Sequence, residues 1–505
     1  MTLISKSKEW FAANNNKLIF ILCAIFIVKG IFYAAFVIPL TMFTTPDDVG
    51  HLSYIQYIAS QRRLPVHGQA YLEISLIEAQ DRYINYGEII DFTIGEETFG
   101  TRRNWIVQHP PLYYILMAGV YSFSSLFTRQ FSTILLVLRL ANLAFGVASL
   151  IYLHKILSEL NAKDVVRKCV LVFFVFSPAL QFYFSAITND SMLIFVCIFA
   201  LYYLLKYMNT NRLKHFVIFV VGSALIFGTK YNGFMVMFAY VFFFLYYSLR
   251  YNGLRETIKL SLIGVPIGLA IILPDILFNY FQAGRAITND GGLITGAGAQ
   301  RAHQITFSHF LFGTHYFSEV TRHIMVLIGW ASWVTPDILV ERLFAIILIA
   351  MTGVHFIKCR NKVNASLTLL IGGVTFALFR YATPIEFSIG VVAVMSCGFM
   401  LICFYAVKAT ELDGREKDIQ VFFIATLLIT FGVYMYTHYG LFQMHGWARG
   451  LHGRYYYIAF LPFAYLLFNQ LGEVRSKAVK LAPVALILVL SIVEFHTISM
   501  TLNSW

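Results

Sequence analysis

Apolar runs long enough to cross a membrane recur along the whole 505-residue chain. A spanning helix needs about 20 apolar residues, because the hydrocarbon core is about 30 Å thick and a helix rises about 1.5 Å per residue. Hydropathy marks about fourteen such runs. They lie at 17–40, 110–127, 132–154, 168–188, 190–206, 214–229, 231–248, 260–281, 338–357, 364–380, 388–407, 419–437, 455–470 and 481–497. Segments of this length satisfy their backbone polar groups in a bilayer as helices. The chain is therefore predicted to be an all-α, polytopic membrane protein.

The composition excludes an ordinary soluble domain. Of the residues, 58% are hydrophobic and only 13% are charged, whereas a soluble domain carries about 25% charged residues. The net charge of +12 would indicate acidic partners or nucleic acid in a soluble chain, but in a membrane protein the position of each cation matters more. The six cysteines show no paired or metal-binding spacing, so neither a disulfide nor a zinc site is expected. The first run lacks a small-residue cleavage site and is expected to remain as an anchor.

The topology depends on the run at 110–127, which is short and begins with two prolines. If this run lies flat in the outer interface, the connections rich in Lys and Arg all face the cytoplasm, as the positive-inside rule requires. We therefore predict about thirteen transmembrane helices, with juxtamembrane helices in a first outer loop at 41–131 and a second large outer loop at 282–337. No internal repeat or linker interrupts the pattern, and residues 1–505 are expected to form a single membrane domain.

Two adjacent carboxylates follow the first run, in Thr45-Pro46-Asp47-Asp48. This pattern predicts a helix start with Thr45 as N-cap and Pro46 at the first position. In a structural interpretation, the two acids only complement the helix dipole. In a functional interpretation, two like charges where a helix leaves the membrane make one of them a better general base. His51 falls one turn later on the same helix face.

Other polar residues collect on the same predicted side of the membrane. His109 precedes two prolines at the start of the interfacial run. Lys230 lies in a tight outer turn, where a cation is unfavourable unless an anion or a carboxylate is nearby. Arg449 and Arg454 lie among glycines before a late run, which suits bidentate binding of phosphate. Anchoring to lipid headgroups beside an aromatic belt explains these two arginines equally well.

Together these motifs resemble the GT-C superfamily of membrane glycosyltransferases. The nearest resemblance is to protein O-mannosyltransferases, the aminoarabinose transferase of lipid A and related bacterial surface-glycan glycosyltransferases. The motifs that carry it are Pro46-Asp47-Asp48-x-x-His51, His109-Pro110-Pro111-Leu112, Asn189-Asp190, Lys230-Tyr231 and Gly453-Arg454-Tyr455. Each motif is weak alone, but their order and their common outward placement make the set specific.

The resemblance implies a polyprenyl-phosphate sugar donor and a catalytic acid at Asp47, with Asp48 where the family commonly has glutamate. Which of the two carboxylates is the base stays open, as does the presence of a divalent cation such as Mg or Mn. His51 is implied near the donor phosphate or the acceptor, and His109 corresponds to the family's Lys or His before Pro-Pro. The predicted phosphate-binding residues are His51, His109, Lys230, Arg449 and Arg454, and the predicted supporting residues are Asn189, Asp190, Tyr231 and Tyr455.

The predicted function is transfer of a sugar from a polyprenyl-phosphate donor to a hydroxyl of a cell-envelope acceptor. The acceptor would be O-antigen, another surface glycan, a lipid or a protein, and the site would face the periplasm from a bacterial inner membrane. Such a donor is a good leaving group, so the site mainly has to deprotonate the acceptor and stabilise phosphate charge. An O-antigen-type polymerase or ligase is one alternative, in which arginine loss would be the main defect. A transporter is the other, and it would need midplane polar groups and repeated or broken helices.

Overall fold

The computed structural model describes seven stretches of the chain and a few positions between them. These are residues 3–38, 47–86, 91–93, 98–287, 414–445, 453–474 and 476–503, with positions 306, 307, 309, 310, 346, 349–353, 402, 404–406, 408 and 412. The predicted second outer loop at 282–337 and the predicted spans between 338 and 407 lie almost wholly outside the described residues.

Fourteen α-helices lie within the seven described stretches and are numbered here in chain order. They are α1 (Leu3–Phe32), α2 (Asp48–Gln61), α3 (Ile74–Tyr86), α4 (Leu112–Ser125), α5 (Phe131–Glu159), α6 (Asp164–Phe176), α7 (Pro178–Ser185), α8 (Asn189–Thr210), α9 (Leu213–Thr229), α10 (Phe234–Tyr251), α11 (Gly253–Ala283), α12 (Gly414–His445), α13 (Phe460–Asn469) and α14 (Ala482–Asn503). A π-helix at Tyr33–Val37 extends α1, and 3₁₀-helices occupy Trp105–Gln108, Tyr231–Gly233, Gly453–Ala459, Gln470–Glu473 and Lys477–Leu481.

Within the described residues, 7 helices are long and apolar enough to cross a membrane, or 8 if the bent pair α6 and α7 counts as one span. The prediction of an all-α, polytopic membrane protein is confirmed. The number of about thirteen spans stays a prediction, as does the single-domain assignment. The bundle centres on α8, which packs against α5 and α9. In the most apolar stretch of α8, 72% is buried inside the protein, compared with 11% in the corresponding stretch of α11.

The predicted span at 168–188 is not one helix. The chain breaks at Ser177, and α6 and α7 meet at an angle of 55°. The cause is local, because a residue before proline is disfavoured in the helical region, and Ser177 has an extended ψ of 115° while Pro178 begins α7. The break turns α7 away from the direction of α6. A short extended segment then leads into α8.

Helix α4 occupies the run at 110–127 and is too short to cross a bilayer. Its 14 residues extend about 21 Å at about 1.5 Å per residue, whereas the hydrocarbon core is about 30 Å thick. One face buries Tyr113, Tyr114 and Met117, and the other exposes Ile115 and Phe123. This amphipathic arrangement supports the predicted position of α4 along the membrane interface.

The first outer loop contains a small sheet that the sequence analysis did not predict. Strands β1 (Tyr71–Glu73) and β2 (Phe99–Arg103) pair in antiparallel fashion. The backbone N–H of Glu73 donates to Ser53 Oγ at 3.1 Å, and Asn104 Nδ2 donates to the Gly50 carbonyl at 2.9 Å. Both contacts fasten the loop onto α2. The 3₁₀-helix that begins at Trp105 is thereby held beside the first residues of α2.

Candidate active site

Asp47 is held in an unusual backbone conformation at the start of α2. The sequence predicted Thr45 as N-cap, but α2 begins at Asp48 and Asp47 is the N-cap residue, with φ at 69° in the left-handed region. Thr45 lies outside the described residues. A non-glycine residue in this region costs of the order of 1 kcal/mol or more, and such residues cluster at functional sites. The Asp47 side chain makes no capping hydrogen bond, so it is directed elsewhere.

The Asp47 carboxylate lies at the more exposed end of a buried charge network. Trp105 Nε1 donates to Asp47 Oδ1 at 2.9 Å, and Arg454 Nη2 donates to Asp47 Oδ2 at 3.2 Å. The Asp47 side chain keeps 24% of its surface exposed, against 6% for Arg454. Asp47 is therefore the member of this pair that a substrate can reach.

Arg454 also joins Asp47 to a second carboxylate. Its Nε lies 3.5 Å from Asp190 Oδ2, and Lys230 Nζ lies 2.6 Å from Asp190 Oδ1. The side chains of Lys230 and Asp190 are each only 4% exposed. Two carboxylates and two cations thus form one chain of contacts, Asp47–Arg454–Asp190–Lys230. Burial of so many charges is unfavourable unless they are paired, which explains why the expected outer cation Lys230 has a carboxylate partner.

Tyr455 lies beside both cations of this network. Its ring centroid is 5.4 Å from Lys230 Nζ and 5.3 Å from the Arg454 guanidinium carbon, both within cation–π range. The ring also stacks on Tyr434 of α12, with centroids 5.3 Å apart. Helix α12 continues past Tyr434 to His445. Tyr455, a predicted supporting residue, therefore fixes the positions of the two cations.

Asp48 has different surroundings from its neighbour. It is only 7% exposed and interacts electrostatically with Arg139 of α5 and with Tyr113. Arg139 is fully buried, and its Nη1 donates to the carbonyl oxygens of Ala34 at 2.9 Å and Ile38 at 2.6 Å. These carbonyls belong to the π-helix that ends α1 and to the residue after it. Arg139 therefore ties α5 to the end of α1, and the Asp48 charge of α2 acts on Arg139 electrostatically.

His51 is a neutral residue in this site. Its Nδ1 lies 2.9 Å from the Tyr114 hydroxyl, and the two rings stack with centroids 5.8 Å apart. Burial is the main reason that the pKa of His51 falls from 6.5 to about 3, and the charges of Lys230 and Arg454 act in the same direction. A neutral imidazole can donate or accept a hydrogen bond, but it adds no positive charge for a phosphate.

His109 lies close to Lys230. Burial lowers its pKa well below the usual value, and the nearby charge of Lys230 lowers it further. Its backbone carbonyl accepts a hydrogen bond from Tyr54 at 3.5 Å. Of the cations and histidines predicted to surround a phosphate, Lys230 and Arg454 carry positive charge in this site, and His51 and His109 offer hydrogen bonds only.

The remaining predicted supporting residues lie on two sides of the network. Asn189 is fully buried, and its Nδ2 donates to the Thr229 carbonyl at 3.4 Å, which ties α8 to the end of α9. The Tyr231 hydroxyl donates to Asp275 of α11 at 2.8 Å and accepts from Asn279 at 2.9 Å. Tyr231 therefore connects the turn of Lys230 to α11, and Arg449 lies outside the described residues.

Three residues near the network were not singled out from the sequence. Arg139 and Asp275 are charged residues inside apolar runs, and such residues are functional candidates by default, so a signal was present for both. Trp105 carried no such signal, because its role depends on the sheet of the first outer loop. Among the described residues, no three of His, Cys, Asp or Glu lie together as metal ligands. Asp47 and Asp190 are instead paired with side-chain cations, and these residues do not fit a Mg or Mn site.

Comparison with known proteins gives one family match. Residues 108–278 match the family of dolichyl-phosphate-mannose-protein mannosyltransferases, and the resemblance to such enzymes is confirmed over this stretch. The stretch contains His109, Asn189, Asp190, Lys230 and Tyr231. No curated protein matches the chain. Among solved structures, the chain is similar to the crystal structure of ArnT from Cupriavidus metallidurans bound to undecaprenyl phosphate, with 13% identity over 89% of this chain and 77% of that chain and a TM-score of 0.38.

Proposed function

We propose that this protein is a membrane glycosyltransferase that moves a sugar from a polyprenyl-phosphate donor to a hydroxyl of a cell-envelope acceptor. The reaction would take place on the periplasmic face of a bacterial inner membrane. The proposal rests on one observation above all. Asp47, Asp190, Lys230 and Arg454 come from four separate parts of the chain and form one network at one end of the helix bundle. The matched family supports it, since its description names dolichyl phosphate mannose, a polyprenyl-type phosphate sugar.

Asp47 is the proposed general base. Its carboxylate is the more exposed end of the network, and the adjacent guanidinium of Arg454 favours its charged, proton-accepting form. The acceptor hydroxyl gives its proton to Asp47 while its oxygen forms a bond to the anomeric carbon. The bond from that carbon to the donor phosphate oxygen breaks, and polyprenyl phosphate leaves with the electron pair. Asp48 is the less suitable candidate for this role, because it is only 7% exposed.

Lys230 and Arg454 are the proposed phosphate ligands. Both are buried cations, and charge-assisted hydrogen bonds to phosphate are about twice as strong as neutral ones. The donor phosphate would replace a carboxylate as the partner of Arg454, which would release Asp47 to accept a proton. Neutral His51 and His109 would complete the polar lining without competing for the acceptor proton, since the low pKa of each disfavours the charged form.

The test is to incubate the purified full-length protein with membranes and a panel of radiolabelled polyprenyl-phosphate sugars. We expect label from at least one donor to reach a membrane acceptor, with release of polyprenyl phosphate. Transfer only from a pyrophosphate-linked saccharide would instead favour a polymerase or ligase. Absence of transfer from every donor, with a folded protein and acceptor-rich membranes, would contradict the proposal.

A further inference from the structure

Tyr183 of α7 has a buried hydroxyl that makes no hydrogen bond within the described part of the chain. The residue is 1% exposed. Its neighbours on α7 behave differently, since Gln181 Nε2 donates to the Phe26 carbonyl at 2.9 Å and Ser185 Oγ to the Gly30 carbonyl at 3.2 Å. A buried hydroxyl that stays unpaired costs about 1 to 3 kcal/mol, so its presence calls for a partner in another state of the protein.

The place of Tyr183 indicates what that partner is. Its ring meets the ring of Tyr457 edge to face, with centroids 6.0 Å apart. Tyr457 lies three residues after Arg454 in the 3₁₀-helix Gly453–Ala459, and residues at this spacing lie above one another in a 3₁₀-helix. Arg454 is close enough to interact electrostatically with the Tyr183 hydroxyl. Tyr183 thus lies beside the charge network, on the helix that follows the break at Ser177.

Arg454 also has a donor, Nε–H, that makes no well-formed hydrogen bond to a described residue, although Nε lies 3.5 Å from Asp190 Oδ2. The Tyr183 O–H and the Arg454 Nε–H therefore lie near each other, and neither makes a hydrogen bond of good geometry to a described residue. Two convergent donors beside a cation suit an anionic oxygen better than a sugar hydroxyl.

We infer that Tyr183 is a further ligand of the donor phosphate, and that its hydroxyl and the Arg454 Nε–H donate to phosphate oxygen. The inference rests on the proposed function, because it names a residue of the same binding site. It differs from a packing role in a measurable way. If the hydroxyl only filled space, its removal would leave ligand binding unchanged, and removal of an unpaired buried hydroxyl does not destabilise the fold.

The experiment compares the full-length protein with its Tyr183→Phe variant in binding undecaprenyl phosphate. The expected result is a Kd raised about 10-fold or more, as for loss of a hydrogen bond to a charged group, with an unchanged or higher melting temperature. Undecaprenol, which lacks the phosphate, should bind both proteins equally. Tyr247→Phe is the matched control, because the Tyr247 hydroxyl donates to the Met208 carbonyl at 3.0 Å in another part of the bundle. That variant should lose stability and keep its Kd.

An unchanged Kd in Tyr183→Phe overturns the inference and leaves the proposed function standing. If the unaltered protein binds undecaprenyl phosphate no better than undecaprenol, the proposed function and the inference fall together. A second variant guards against misfolding of the first. Arg454→Lys keeps the charge but removes Nε–H, and it should also weaken phosphate binding. If Arg454→Lys binds undecaprenyl phosphate as tightly as the unaltered protein, Arg454 Nε–H and the Tyr183 hydroxyl do not both donate to the phosphate.

Discussion

Asp47 and Asp48 are adjacent in the sequence and have separate roles in the structure. The sequence predicted correctly that helix α2 begins near this pair, and it left open which carboxylate is the base. The surroundings that distinguish the two depend on residues far along the chain, because Arg454 is 407 positions from Asp47 and Asp48 interacts electrostatically with Arg139 of α5. Local pattern cannot supply such contacts. The same applies to Lys230, whose position predicted a nearby anion but did not identify Asp190.

Asp48→Asn should destabilise the protein. The substitution removes a negative charge that favours the charged form of the fully buried Arg139, and burial of a charge that is less well compensated is unfavourable. We expect a clearly lower melting temperature in detergent. Asp91→Asn is the control, since Asp91 accepts from Ser132 at 3.1 Å in an exposed position and should lose much less. A melting temperature of Asp48→Asn equal to that of the unaltered protein would contradict the structural role.

The buried His51 predicts a pH dependence of stability. The unfolded chain binds a proton at this residue at a pH of about 6.5, whereas the folded protein does so only at a pH of about 3. Stability is therefore fully present above the unfolded value and decreases as the pH falls from about 6.5 towards 3. His51→Gln should show a smaller decrease in melting temperature over this range. Parallel pH profiles of the two proteins would show that His51 does not titrate in this way.

At the scale of elements, hydropathy predicted the long helices well and the short ones poorly. The predicted spans at 132–154, 190–206 and 260–281 each lie within one observed helix, namely α5, α8 and α11. The run at 168–188 was wrong as a single helix, because mean hydropathy does not register the break that Ser177 and Pro178 impose. The sheet of β1 and β2 also escaped prediction, since its strands have only 3 and 5 residues.

Helix α4 provides a test of topology. If it lies along the outer interface, a cysteine introduced at the exposed Arg129 should react with an impermeant maleimide added to intact cells. Arg255, which is exposed at the start of α11, is the matched control and should react only after permeabilisation. The unaltered protein reports the background from native cysteines. Labelling of position 129 solely from the cytoplasmic side would reverse the assignment and mean that α4 crosses the membrane.

At the scale of the whole molecule, an ion pair joins the beginning of the chain to its end. Lys29 Nζ of α1 lies 2.7 Å from Glu494 Oε2 of α14, and the Tyr33 hydroxyl donates to Glu494 Oε1 at 3.0 Å. Lys29 was visible in the sequence as a cation within the first span, but its partner lies 465 positions away. This ion pair therefore connects α1 with α14, the first and last helices that the structure describes.

The contribution of this pair can be measured with a double substitution. Glu494→Gln should lower the stability by about 2 kcal/mol, because it leaves the Lys29 charge largely buried without its carboxylate. Replacing both residues, as Lys29→Met with Glu494→Leu, removes the charges together and should recover most of the loss. Thermal unfolding of the three variants checks this. A double variant as unstable as Glu494→Gln would show that shape rather than charge governs the contact.

The central claim is that the network is a glycosyl-transfer site with Asp47 as its base. Its most direct test is the rate of polyprenyl-phosphate release by Asp47→Asn in a single turnover, with Asp91→Asn as a control for the same chemical change in the same loop. An amide cannot take the proton from the acceptor hydroxyl, so the rate should fall about 100-fold to 10,000-fold. The protein should remain folded with a modestly lower melting temperature, because Arg454 loses the Asp47 charge but keeps Asp190 as a carboxylate partner. Asp91→Asn should keep its rate. A folded Asp47→Asn protein that releases polyprenyl phosphate at the normal rate would contradict the claim.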